Sequence, residues 1–168
     1  MDTNEALSVL LRSYKRYYDI NTDDPTDPFS AEAEFHNVDK HYMFVKSANI
    51  SEYQSNEYVF FYTAPDIDSD ALKSISDIAW EKGISNAEMT TYHKNTDVSL
   101  IVITDRFGSA DLEDTIKKSK RNISYKFGLN GYSHLSVIAL ELSTGKIVHN
   151  RQGHNLKKPL SNILKNNM

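Results

Sequence analysis

Val98-Ser99-Leu100-Ile101-Val102-Ile103 is the stretch that most restricts how this chain folds. A nearly unbroken β-branched run has no side to offer water, so it predicts a strand covered on both faces. Elsewhere the strand patterns alternate. Phe29 to Val38 sets Phe29, Ala31, Ala33 and Phe35 against Ser30, Glu32, Glu34 and His36, the mark of a half-buried strand. A second strand is expected over His41 to Ile50, with its turn at Asp39-Lys40. That register places Phe35 opposite Phe44, Ala31 opposite Ala48 and Lys46 opposite Ala33. A third strand is expected over Glu57 to Thr63, ended by Ala64-Pro65-Asp66.

Three helices are expected around these strands. Leu7, Leu10, Leu11, Tyr14 and Tyr18 form one stripe between about Asn4 and Tyr18, and Asp2 and Glu5 have capping-box spacing. Leu72, Ile75 and Ala79 mark a helix from Ser69, with Asp68 as its cap and Gly83 as its stop. Gly108-Ser109 opens a third, running to Lys118. Ile123, Tyr125, Phe127 and Leu129 alternate as core positions of a strand, and residues 132–142 and 146–150 read as a hairpin around Ser143-Thr144-Gly145. The order α-β-β-β-α-β-α-β-β-β predicts an α+β fold, a mixed and mostly antiparallel sheet with helices packed on it. At 168 residues one core suffices, so a single domain is expected over 1–150, with a basic, flexible tail over 151–168.

Charge is distributed unevenly. Residues 1–114 carry 22 Asp or Glu against 9 Lys or Arg, whereas residues 115–168 carry 10 Lys or Arg and Glu141 alone. The absence of cysteine excludes disulfides and thiolate metal sites. No apolar run reaches the roughly 18 residues of a membrane span, and the acidic start lacks signal-peptide character, so the expected address is the cytoplasm.

Candidate chemistry is sparse. Asp19, Asn21, Asp23 and Asp27 fall where a calcium loop places oxygen ligands, but Asp24 replaces the required glycine and Ser30 the closing glutamate. The segment therefore reads as a solvated turn. Helix, three-strand meander, helix and strand is also the core order of the PD-(D/E)xK nucleases, which this stretch resembles in outline. In that reading Glu32, Glu34 and Lys46 would be the catalytic set, yet Phe44 stands where the acid of the acid-x-Lys triplet belongs. His36 and His41 bracket the expected first hairpin beside Glu34, a weak metal-ligand grouping. Lys117, Lys118, Lys120, Arg121 and Lys126, interleaved with Tyr125 and Phe127, form a candidate nucleic-acid surface over 117–132. The bland counterpart is a basic helix end followed by core aromatics.

Tyr14-x-x-Tyr17-Tyr18, Tyr42-Met43-Phe44-Val45-Lys46, Val102-Ile103-Thr104-Asp105 and Tyr125-Lys126-Phe127-Gly128-Leu129-Asn130-Gly131 resemble strings in a family of small, uncharacterised Firmicutes-type bacterial proteins. That resemblance implies no catalytic or binding residue. The expected function is a non-enzymatic cytoplasmic module that binds a protein or a small molecule. The alternatives are a diverged or inactive metal-dependent nuclease and a nucleic-acid binder through 117–132. No cofactor is expected beyond a candidate divalent cation.

Overall fold

The structure, a computed structural model, describes residues 1–39, 53–86, 93–125, 127 and 131–165. The expected strand His41–Ile50, together with Lys46 and His41, lies outside these residues, as does Lys126. The fold is α+β. Helix α1 (Thr3–Tyr14) is followed by β1 (Asp19–Asn21), β2 (Ala31–Asp39), β3 (Tyr53–Ile67), α2 (Ser69–Asn86) and β4 (His93–Phe107). Then come α3 (Leu112–Lys118), β5 (Asn122–Ser124), β6 (Tyr132–Glu141), β7 (Lys146–His149), a 3-10 turn over 152–156 and α4 (Lys157–Lys165).

The sheet runs β1-β2-β3-β4-β6-β5, with β7 also paired to β6. Four of its ladders are antiparallel and lie toward the edges. The β3–β4 and β4–β6 ladders are parallel and form the centre. Parallel neighbours need crossovers, and α2 and α3 supply them. Both faces of the centre are covered, as the Val98–Ile103 run requires. Val98, Leu100 and Val102 pack with Leu72, Ile75 and Ile116 beneath α2 and α3. Ile101 and Ile103 pack with Leu7, Leu10, Leu160 and Ile163 beneath α1 and α4.

Several local expectations give way to this packing. β2 takes β3 as an antiparallel partner, which sets Glu57 opposite Phe35, while the Phe44 expected there lies outside the described residues. The strand begins only at Ala31, and Phe29 falls into the opposite core, its ring 4.8 Å from that of Phe60. β3 continues through Pro65 because its β2-side ladder ends at Phe61, leaving no partner there for a missing N–H. Gly83 does not stop α2. A Cβ there would come within 2.5 Å of Val98, so glycine lets the helix approach β4 closely. β5 ends at Ser124, and Phe127, expected in the core, is fully exposed at a φ of 56°.

The segment from Arg151 was expected to be flexible. Instead it forms the 3-10 turn and α4, because Leu160 and Ile163 find an apolar surface against α1. Asn150, 1% exposed, anchors the start of this segment. Its side-chain oxygen accepts from Val137 N–H at 3.0 Å and Gly153 N–H at 2.8 Å. Its amide nitrogen donates to Ser119 at 3.0 Å and Leu135 at 2.9 Å. One side chain thus satisfies four backbone groups that have no water to turn to.

Asn150→Leu strands all four and is expected to cost roughly 3 kcal/mol or more in a urea melt. Gly83→Ala is expected to cost roughly 1–3 kcal/mol through overpacking, with most of that recovered in the double variant carrying Val98→Ala.

Candidate functional site

The clearest chemistry sits at the amino-terminal end of the parallel strands, on the face covered by α1 and α4. Alternation carries Glu57 to the same side as Val59 and Phe61, and Asp97 to the side of Ile101 and Ile103. The ladders place Phe35, Glu57, Asp97, His134 and Asn122 side by side on five adjacent strands. Neighbouring members are therefore about one strand spacing, ~4.8 Å, apart along the backbone. The Asp97 Oδ1 atom lies 3.3 Å from His134 Nδ1. That oxygen is cut off from water and accepts no aligned hydrogen bond among the described residues, although a protonated His134 stands within ion-pair distance of it.

Aromatic rings form the wall beside Glu57. After Tyr14 the chain makes one further turn, with Tyr18 N–H donating to the Tyr14 carbonyl at 2.9 Å. This directs the Tyr18 hydroxyl onto Glu57, to which it donates at 2.5 Å. The Tyr14 and Tyr18 rings lie 4.8 Å apart, Tyr14 stands edge-on to Phe61 at 5.2 Å, and Tyr18 lies 5.5 Å from Phe35. Burial, and then the charge of Asp97, hold the Glu57 carboxyl above its usual range, although the Tyr18 hydrogen bond pulls the other way. Burial also pushes the Tyr14 and Tyr18 hydroxyls up, with Glu57 adding to the effect. A cavity of about 350 Å³ opens beside this group, lined by Tyr14, Tyr18, Glu57, Leu156, Lys158 and Asn162 among others.

The residues singled out in the sequence are placed differently. Asp19 and Asn21 lie on β1 rather than in a loop, opposite Glu34 and Glu32. These four line a smaller cavity, about 200 Å³, with Tyr58 and Asn86. Asp23 and Asp27 stay exposed on the turn and do not line it. Glu32 accepts from Thr26 N–H at 3.0 Å, Asn21 closes a turn onto Asp24, and Glu34 lies 3.5 Å from His36. Among the described residues, no group of three or more His, Cys, Asp or Glu side chains is arranged to hold a metal ion. In the 117–132 segment, Lys117 pairs with Glu113, Lys118 with Asp114 and Arg121 with Asp77, whereas Lys120 is exposed.

The Glu57–Asp97–His134 row was not singled out from the sequence. Glu57 at alternate spacing before Val59 and Phe61 was the available signal, since it puts an acid on an apolar face.

Because the folded chain holds the Glu57 proton more tightly than the unfolded chain, this group's contribution to stability is greatest below its ordinary value of 4.5 and declines as pH rises above it. Glu57→Gln is expected to remove that decline. Its stability relative to wild type should climb as pH rises above about 4.5 and stay constant below, as read by urea melts across the range.

No curated protein and no solved structure matches the chain. A family model does, over residues 2–162, a span that includes β7, the 3-10 turn and the first turns of α4. The chain belongs to the family described as the domain of unknown function DUF8052.

Proposed function

We propose that the domain is a non-enzymatic binding module that receives a small molecule, or a side chain of a protein partner, in the cavity between α1, α4 and the sheet. The observation that carries this reading is Glu57. It is a carboxyl drawn out of water at an aromatic-walled cavity, with a second carboxylate on the next strand. No Lys or Arg among the described residues lies within ion-pair distance of either acid. Such an arrangement is costly for the empty protein, and a ligand with a hydrogen-bond-donating or cationic group offsets the cost. Tyrosine rings beside carboxylates suit an organic amine, whose charge is stabilised by both.

A cytoplasmic address and a Firmicutes-type bacterial origin belong to the same proposal. For the described residues, no helix is long and apolar enough to cross a membrane.

The test is a panel of small primary and quaternary amines, read by melting temperature and calorimetry. A member that stabilises wild type, and fails to stabilise Glu57→Gln or Tyr18→Phe, is the expected result. At a hundredfold excess over Kd the gain should approach about 2.7 kcal/mol. Stabilisation that survives both substitutions would place the ligand elsewhere and defeat the reading.

A second reading, a diverged or inactive metal-dependent nuclease, is supported by the run of α1, the antiparallel β1-β2-β3 meander, α2 and the parallel strand β4. It requires Mg²⁺- or Mn²⁺-dependent binding or cleavage of nucleic acid that is lost in Glu32→Ala and Glu34→Ala.

A further inference from the structure

We propose that the outer surface formed by the end of α1 and the start of α4 docks a single-stranded nucleic acid. This surface shares Tyr14, Tyr18 and Lys158 with the lining of the Glu57 cavity and is separate from the 117–132 segment. Arg12 is exposed on the last turn of α1, Lys15 and Arg16 are exposed just beyond it, and Lys157 and Lys158 are exposed on the first turn of α4. One cavity is lined by Tyr14 and Tyr18 from the α1 end and by Lys158, and an adjoining groove by Tyr18, Arg12 and Lys15. The two sets of cations therefore border one continuous surface.

Grouping sets this surface apart, although Lys82, Lys120, Arg151 and Lys165 are also without a carboxylate in ion-pair distance among the described residues. On the α2 and α3 side, Lys73, Lys117, Lys118, Arg121 and Lys146 each have a carboxylate within ion-pair distance. Among the described residues, Arg12, Lys15, Arg16, Lys157 and Lys158 have none. Asp19, which lines the groove with Arg12 and Lys15, is not within ion-pair distance of them. The protein as a whole is acidic, at −4, so a surface of five unpaired cations is not a consequence of general basicity.

The two sets differ in what local structure explains. Cations at the end of α1 suit the helix dipole and would be expected without any partner. Lys157 and Lys158 follow the 3-10 turn without a break, Lys157 N–H bonding back to the His154 carbonyl, so no helix end explains them, and the first turn of α4 contains no acidic residue to neutralise them. An anionic partner accounts for their presence. Tyr17 indicates which kind. It is 62% exposed and the Arg16 guanidinium lies over its ring at 5.2 Å. A flat aromatic–guanidinium pair beside a line of cations matches the stacking and backbone contacts by which unpaired bases are held. An acidic peptide or an anionic membrane would use the cations but has no need of the ring.

The experiment is fluorescence anisotropy with a labelled mixed-sequence single-stranded oligonucleotide, titrated at increasing salt. Binding at low salt is expected, with log affinity falling by about 0.7 per phosphate contacted for each unit of log salt. The double variant Lys157→Glu, Lys158→Glu should lose about tenfold or more at low salt, with its melting temperature confirming an intact fold. Lys117→Glu with Lys118→Glu, altering cations already paired internally, should change affinity little. Tyr17→Ala should weaken binding without changing the salt slope. The proposal is overturned by no binding at low salt, by equal losses in the two double variants, or by tighter binding of polyglutamate or phosphatidylserine vesicles than of the oligonucleotide. These readouts are oligonucleotide affinities, so their failure leaves the amine reading of the Glu57 cavity, tested by amine-induced stabilisation, standing.

Discussion

The centre of the sheet dictates the rest of the molecule. β3, β4 and β6 run parallel, and Val98, Leu100 and Val102 on one side are as deeply buried as Ile101 and Ile103 on the other. Removing both faces from water is worth roughly 25 cal/mol for each Å² of apolar surface covered. Covering them takes two helical layers. The crossovers α2 and α3 cover one face, while the second face needs helices from the two ends of the chain, α1 and α4. A tail that would otherwise remain loose is held because the alternative is an open apolar surface.

The same constraint generates the polar row. Strand alternation is fixed along β3, β4 and β6, so extending each strand backwards past its apolar positions carries Glu57, Asp97 and His134 onto the α1 face. There Glu57 meets the Tyr14–Tyr18 pair rather than open solvent. The cost of holding two carboxylates close together is met partly by the Tyr18 hydroxyl, and what remains shows as a raised Glu57 proton affinity. Stability and chemistry draw on the same residues here: the rings that close the core over Phe61 also keep water from Glu57.

Charge follows a related division. The acidic first part and the basic last part of the chain meet largely across α2, α3 and β7, where Lys146 reaches Glu113 at 2.6 Å and Arg121 reaches Asp77. Such exposed pairs contribute little stability, but they remove net field from that side. On the opposite layer, at the junction of α1 and α4, five cations have no such partner among the described residues. A segment that reads as conspicuously basic, 117–121, is thus largely neutralised, and the exposed positive surface is assembled from residues far apart in the chain.

From sequence alone, the α+β class, the doubly covered strand, the capped first helix with Asp2 and Glu5, and the closing hairpin were all legible. Each rests on interactions between residues close in the chain, or on a periodicity that needs no knowledge of the partner. Tertiary packing decided what no local pattern encodes: that β2 pairs with β3 in the register setting Phe35 opposite Glu57, that Gly83 serves close approach, and that residues 152–165 fold. It also decided that Glu57, Asp97 and His134 stand in a row, because parallel strands bring distant residues side by side only after the crossovers have chosen the register. Alternation tells which residues share a face, while register, set by the summed burial of the whole sheet, tells which of them meet.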